Sequence, residues 1–478
     1  MNLKMLYIIY FAVGVLAVMP NTTVYMYLKT KFAKTPSELM LEMQIIEMSW
    51  LLKPWIAYNS DYMKSWGFKR NKMLIVSSLL CSLQWILSSM CLNTPTLFYL
   101  LTLGASTCVS ISDVIIDACM LEYINRKKLS NIDKYNQQND TMSTSNSSTF
   151  TYSMTNSMKE SIQNNTIIIK YSGRCFGCIV AWCIGMISYD TKYIFFASIV
   201  PGSLTAILST LLYNNTNKKN EIYDDSIESM YLSYQQTIAK KKDSATYHKK
   251  EVIHLFIKYY YMNILSGFRT FKDIIVKKKI ISFALISMMC AATPNPLYSY
   301  IYVYTDYLNM TTLDVQFMCF AKEIGTLIGN VCYIPLTRGK FDNNMKILSL
   351  NDIILSVFII LHSFLALSNP FKLQLYSLFL FECCIYAVKS VFTFPLVVYT
   401  SQFCPRGLEA TSYSVISNID SFCFSIDSFV LVLLFNIFSF FDSSFSTYHY
   451  LSITCAFVAC FPSFFVWLYP FFPITNET

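Results

Sequence analysis

Long apolar runs alternate with short polar breaks along nearly the whole chain. Twelve of these runs approach or exceed the ~20 residues that an α-helix needs to cross the hydrocarbon core of a bilayer. They fall at 5–28, 39–57, 72–91, 97–123, 166–188, 192–213, 280–304, 312–336, 345–367, 373–400, 408–438 and 447–471. The pattern predicts an all-α membrane protein of twelve transmembrane helices. Two polar inserts interrupt it. Asn131–Asn165 is rich in Ser, Thr and Asn and lacks an apolar period, so disorder is expected over about residues 125–165. Asn214–Lys279 divides the chain into 1–213 and 280–478, each with six spans. Within this central loop, Ile253, Phe256, Ile257, Tyr260, Ile264, Phe268 and Phe271 recur at helical spacing, with Lys258, Arg269 and Lys272 between them. Glu251–Val276 therefore predicts a helix lying at the membrane interface.

An even number of spans puts both termini on one side, and charge says which. Loops assigned inward carry Lys64, Lys69, Arg70, Lys72, Arg126, Lys127, Lys128, Arg338, Lys340, Lys346 and Arg406. Loops assigned outward are poorer in cations, which is the positive-inside pattern, so the termini are expected in the cytoplasm. Lys29, Lys31 and Lys34, after the first span, break the pattern. Of the glycosylation sequons, Asn21 and Asn309 fall outward, with Asn309 the expected acceptor because Asn21 lies within or against the first span.

Composition agrees with the pattern. Hydrophobic residues make up 54% of the 478 and charged residues only 14%, where a soluble chain would carry about 25% charge. The net +8 gathers in loops and does not point to nucleic acid. The 16 cysteines scatter through apolar segments and read as small buried hydrophobes rather than a disulfide or metal framework. No phosphate loop, zinc spacing or nucleophile–base arrangement occurs, and His248, His254, His362 and His449 form no ligand pattern. An enzyme, a cofactor and a metal are not expected. Abundant Ile, Asn, Lys, Tyr and Phe hint at an AT-rich genome and a single-celled eukaryote.

Charges that remain inside apolar runs are costly there and mark candidate chemistry. The connection Lys53–Lys72, KPWIAYNSDYMKSWGFKRNK, is too polar for hydrocarbon and is expected to cap the second and third spans at an aqueous face. Pro54 and Gly67 should close the helix and turn the chain, while Asp61 pairs with one of the nearby cations. In the fourth span, Asp113 and Asp117 stand four apart and so share one helical face. A carboxyl able to take up a proton within the membrane is what a proton-coupled carrier needs. The alternative is fixed pairing with Lys53 or Arg70. Glu122, near the end of that span, reads as structural.

Arg174, between Gly173 and Gly177 in the fifth span, needs an anion: Asp113 or Asp117, or a substrate carboxylate that its planar fork would bind through two parallel hydrogen bonds. Asn295 sits in Thr293-Pro294-Asn295-Pro296, where two prolines predict a broken helix lining a cavity. Tyr298, Tyr300, Tyr302 and Tyr304 follow by twos, so only some can face that cavity. Lys322 and Glu323 pair locally or across helices. Lys389 either pairs with Glu382, seven residues earlier, or meets a substrate anion. Glu409 at the start of the eleventh span supplies capping charge beside Gly407.

Several of these strings resemble the folate–biopterin transporter family of the major facilitator superfamily. The family reads roughly K-P-x-x-G-x-x-S-D and then G-[YF]-[RK]-R, matched here from Lys53-Pro54 to Ser60-Asp61 and from Gly67 to Arg70, with Ala57 in place of glycine. S-D-V-x-x-D-A-x-x-x-E from Ser112 to Glu122, the G-R-x-x-G around Arg174, and Gly329 with Tyr333 are also similar. Cys404-Pro405, Gly407, Glu409, Ala410 and Thr411 resemble the C-P-x-G-x-E-A-T signature closely. The resemblance implies a major facilitator fold of two six-helix halves, and the plasma membrane is the expected location. It also implies uptake of folates, pterins or related aromatic acids by alternating access, with protons as the partner ion. The other readings are a carrier of another organic anion or a nucleobase, and a non-transporting scaffold or receptor.

Overall fold

A computed structural model describes residues 3–65, 69–91, 93–139, 147–187, 192–216, 300–336, 341–367, 374–403, 409–441 and 446–461. Every regular element among the described residues is helical, and seven helices are long and apolar enough to cross a membrane. The central loop with its expected interfacial helix, and Asn295 with its flanking prolines, lie outside the described residues.

The first run breaks into α1 (Leu3–Val18) and α2 (Asn21–Phe32) around Pro20, which has no N–H to continue the ladder. Thr35 then opens α3 (Pro36–Glu47) with a full capping box: its hydroxyl accepts from the Glu38 amide, and the Glu38 carboxylate accepts from the Thr35 amide. That backbone bond holds the exposed Glu38 carboxyl below its ordinary range.

Here one expectation fails. The helix does not close at Pro54: α3 runs through a 3-10 stretch, Met48–Leu52, into α4 (Lys53–Ser65). Pro54 falls in the first turn of α4, where a missing N–H costs nothing. Lys53 is therefore inside the bundle and not at an aqueous face.

α5 (Arg70–Met90) shows an inverted pattern. Its buried face carries Ser77, Ser78, Ser82 and Ser88, while Val76, Leu79, Leu80 and Leu83 are exposed. Between helices in lipid, close contact of small residues replaces the hydrophobic drive, and the long apolar side chains face the acyl chains. α6 (Pro95–Asn139), α7 (Ser147–Ile187), the short α8 (Lys192–Ala197) and α9 (Ile199–Thr216) follow. The Ser/Thr/Asn-rich insert expected to be disordered is thus largely drawn into the ends of α6 and α7, with 140–146 outside the described residues. One reason is visible in α7, where Ile162 is buried among Leu6, Ile9 and Ile124.

A helical turn at Tyr300–Tyr302 widens into a π turn, Val303–Tyr307. The chain then passes Asn309, which takes a positive φ of 52° that asparagine tolerates, and enters α10 (Thr312–Leu336). α11 (Phe341–Leu367), α12 (Gln374–Phe403), α13 (Glu409–Phe441) and α14 (Ser446–Ala459) complete the described chain. α1, α5, α6, α7 and α9 pack on one another, as do α10, α11, α12 and α14. α3 and α4 join the first group through α6, and α13 joins the second through α12 and α14; the two groups meet where α7 lies on α10 and where α3 and α4 lie on α13.

Candidate functional site

A cavity of about 380 Å³ opens between the two groups of helices. Lys53, Lys170, Arg174, Lys322 and Lys389 line it together with Glu47, Glu323 and Glu382. Tyr25, Trp50, Tyr171, Tyr304 and Tyr386 add flat aromatic surface. The cations and rings are already associated: the Lys53 ammonium lies 4.4 Å from the Trp50 ring centre, and the Lys322 ammonium 5.3 Å from that of Tyr386.

The helix packing explains these positions. α1 and α7 touch backbone to backbone: a Cβ at Gly14 would meet the Lys170 carbonyl oxygen at 2.3 Å, and one at Gly173 the Phe11 carbonyl oxygen at 2.2 Å. Only glycine permits that approach. It fixes the rotation of α7, so Lys170 and Arg174, four residues apart, point together into the bundle.

Arg174 does not pair with Asp113 or Asp117. Its Nε donates to Glu323 Oε2 at 2.7 Å and its second terminal nitrogen to Oε1 at 2.9 Å, a bidentate bridge from α7 to α10. Of the two arrangements weighed for Lys322 and Glu323, Glu323 takes the one across helices. Lys389 pairs with Asp427 of α13 at 3.3 Å and not with Glu382. The Glu382 carboxylate instead accepts from the Tyr304 hydroxyl at 3.5 Å, and that hydroxyl is 2.9 Å from His362 Nε2. Of the alternating tyrosines, Tyr304 reaches the cavity, whereas Tyr300 turns to Ser452 and Tyr302 to the Lys34 carbonyl.

A second chamber of about 140 Å³ adjoins the first, and Lys53, Lys170, Tyr171 and Ser421 line both. Asp113 and Asp117 face this chamber, with Tyr10, Gln163, Asn330 and Tyr413. Asp113 is held by Lys53 at 2.9 Å and by Lys170. Asp117 accepts from the Tyr10 hydroxyl at 2.7 Å.

Asp61, Arg70 and Glu122 form a separate cluster at one end of the bundle. Arg70 bridges both carboxylates, and Asp61 also accepts from the backbone amide and hydroxyl of Thr411 at 2.8 and 2.7 Å. Glu409 is the first residue of α13, and its side chain is outside the described set. Toward the other end, Lys29 pairs with Asp306, and Lys34 with Glu42 at 2.6 Å. Two of the cations that broke the loop pattern are thus engaged by carboxylates. Asn21 lines the central cavity and so is not placed like a loop sequon.

Sequence reasoning passed over Lys170, Glu47 and Trp50. The signal for Lys170 was present in its spacing: four residues before Arg174 in the same apolar run.

A charged, aromatic cavity enclosed between two groups of membrane helices is the architecture of a solute carrier of the major facilitator type. The chain belongs to the BT1 family, whose family model matches residues 13–478. It is a transporter of that kind and not an enzyme. A folate-biopterin transporter of Synechocystis sp. is 30% identical over 124 residues, about a quarter of each chain (26% and 25%). Folate transporter 1 of Plasmodium falciparum is 23% identical over 465 residues, covering 95% of this chain and 76% of that one. Among solved structures, the nucleoside transporter NupG superposes with a TM-score of 0.58 over 98% of both chains at 14% identity, a likeness of fold alone.

Proposed function

We propose that the chain carries folates, pterins or related aromatic acids across a membrane by alternating access, driven by protons. The carrying observation is the cavity of about 380 Å³ lined by five cations and by aromatic rings. A flat heterocycle joined to a carboxylate suits that lining, with rings stacking on Tyr or Trp faces and the acid meeting an ammonium group. The names of the two relatives point to the same substrates. Twelve spans in two halves divided at 214–279, and cytoplasmic termini on the side of Lys69 and Arg70, complete the proposal. A plasma membrane of a single-celled eukaryote is the proposed location.

The test is uptake of labelled folate, biopterin and p-aminobenzoate by cells expressing the chain, with and without an inward proton gradient. Saturable uptake that a protonophore abolishes is expected. Uptake of none of the three would remove this substrate class and leave another organic anion as the cargo. Uptake indifferent to the gradient would remove proton coupling. Tags at the termini that label from outside intact cells would overturn the orientation.

A further inference from the structure

Asp113 and Asp117 stand one helical turn apart on α6, yet their surroundings differ. Asp113 is fully buried and meets two ammonium groups, Lys53 from α4 and Lys170 from α7. Asp117 meets none among the described residues; its hydrogen-bond donor is the Tyr10 hydroxyl of α1. Two ammonium groups and one carboxylate leave the Lys53–Asp113–Lys170 trio at +1. An ionised Asp117 brings the group to zero, and a protonated Asp117 leaves the +1 uncompensated.

The location gives that arithmetic a consequence. Both lysines line the central cavity as well as the chamber that Asp117 faces. An uncompensated charge away from bulk water is strongly unfavourable, so the empty site favours the neutral, ionised form. With a proton on Asp117, the same cost is relieved by an anion entering the central cavity. Arg174 is less suited to that anion because its Nε and one terminal nitrogen are already engaged by Glu323, which also neutralises its charge. Protonating Asp113 instead would break two ion pairs at once.

Other groups facing Asp117 do not supply the missing charge. Tyr10 comes from α1, Tyr171 from α7, and Tyr413, which shares the chamber, from α13. On α6 itself Glu122 is held by Arg70 of α5, which also holds Asp61.

We propose that Asp117 is the proton site and that Lys53 and Lys170 form an anion subsite switched on when Asp117 is protonated, so that one proton and one substrate carboxylate are taken up together. This rests on the carrier reading above and adds the residues that do the coupling. The proton passes from water to a carboxylate oxygen of Asp117; no covalent bond to substrate forms or breaks.

The test uses the full-length protein in lipid nanodiscs, with p-aminobenzoate and folate as carboxylate ligands and biopterin as a ligand lacking one. Acidification from about pH 7.5 to about pH 5.5 should tighten the carboxylates and leave biopterin unchanged. Asp117→Asn should bind the carboxylates at the higher pH as tightly as wild type does at the lower, with no pH dependence. Lys170→Gln should weaken them about tenfold and spare biopterin, and Lys170→Arg should restore them in part. An Asp117→Asn protein that keeps the pH dependence, or a Lys170→Gln protein that loses all three ligands equally, overturns the proposal.

Infrared difference spectra on acidification provide a ligand-free arm. A protonated-carboxyl band present in wild type and absent from Asp117→Asn is expected, and a band that survives that substitution overturns the assignment. If none of the three ligands binds wild type, the substrate class falls, while the infrared arm still decides Asp117.

Discussion

Asp61 and Thr411 lie 350 residues apart and meet through two hydrogen bonds, from the Thr411 amide at 2.8 Å and from its hydroxyl at 2.7 Å. Thr411 is in the first turn of α13, where amides lack partners within the helix, so the Asp61 carboxylate both caps them and complements the helix dipole. Arg70 holds the other Asp61 oxygen and reaches Glu122. Two sequence signatures far apart in the chain, around Asp61 and around Glu409–Thr411, are thus two sides of one contact. The Asn418 side chain of α13 donates to the Leu51 carbonyl, in the 3-10 stretch before α4, at 3.2 Å.

Loosening this contact should grade with the number of charged bonds lost. Thr411→Val removes one hydrogen bond to the carboxylate and should cost about 1.5–3 kcal/mol, while the amide bond survives. Asp61→Ala removes the acceptor of both bonds and a carboxylate partner of Arg70, at about 1.5–3 kcal/mol per charged bond lost. Thermal unfolding of the purified variants measures the difference. Equal, small shifts for both would mean that the contact contributes little to holding the helices together.

The Arg174–Glu323 bridge makes a different prediction. Glu323 is withdrawn from water to a side-chain exposure of 3% while Arg174 keeps 24%, so removing the arginine strands a buried carboxylate. Arg174→Met alone should destabilise by about 3–5 kcal/mol, Glu323→Met by less because water reaches the arginine, and the double variant by less than the sum. Because Nε and one terminal nitrogen of Arg174 are already taken by Glu323, Arg174→Lys should weaken folate and biopterin equally. A loss confined to folate in competition curves would reinstate Arg174 as a carboxylate contact.

How much of this was readable in the chain depended on distance along it. Apolar runs were legible because the bilayer demands them, and a pairing of Asp61 with a nearby cation because the candidates follow in the same short stretch, though not that the cation is Arg70. Arg174 with Glu323 and Lys170 with Asp113 were not, since such pairs depend on the rotation and depth of separate helices. That rotation is set by contacts such as Gly173 on Phe11, which leave no period in the sequence. Lys53 was misplaced for a local reason: Pro54 reads equally well as the end of one helix or the first turn of the next.

The unequal settings of Asp113 and Asp117 should appear in stability as well as in binding. Asp113→Asn leaves Lys53 and Lys170 facing each other beside an amide, at about 3–5 kcal/mol. Asp117→Asn keeps an acceptor for the Tyr10 hydroxyl and breaks no ion pair, but it leaves the Lys53–Asp113–Lys170 trio at +1, so at neutral pH it should destabilise measurably yet less than Asp113→Asn. Melting temperatures in one detergent rank the two. A reversed order would place the structural ion pair at Asp117.

The last prediction concerns the surface on which the cavity charges of α10 and α12 are mounted. A Cβ at Gly325 would lie 2.2 Å from the Cys383 carbonyl oxygen, and one at Gly329 only 2.1 Å from that of Ala387. The obstructing atoms are backbone, so α10 cannot accept a methyl group at either position without moving off α12. The movement would carry Lys322 and Glu323 away from Glu382 and Arg174, because all four face the same cavity. Gly325→Ala should therefore cost about 1–3 kcal/mol and lower uptake further than the stability loss alone explains. Ala321, one turn earlier on α10 and fully buried, makes a control: Ala321→Gly opens a gap and costs helix propensity without pushing the helices apart. Uptake normalised to folded protein separates the two. If Gly325→Ala and Ala321→Gly lose uptake only in proportion to stability, the close approach of α10 to α12 serves packing and does not set the geometry of the site.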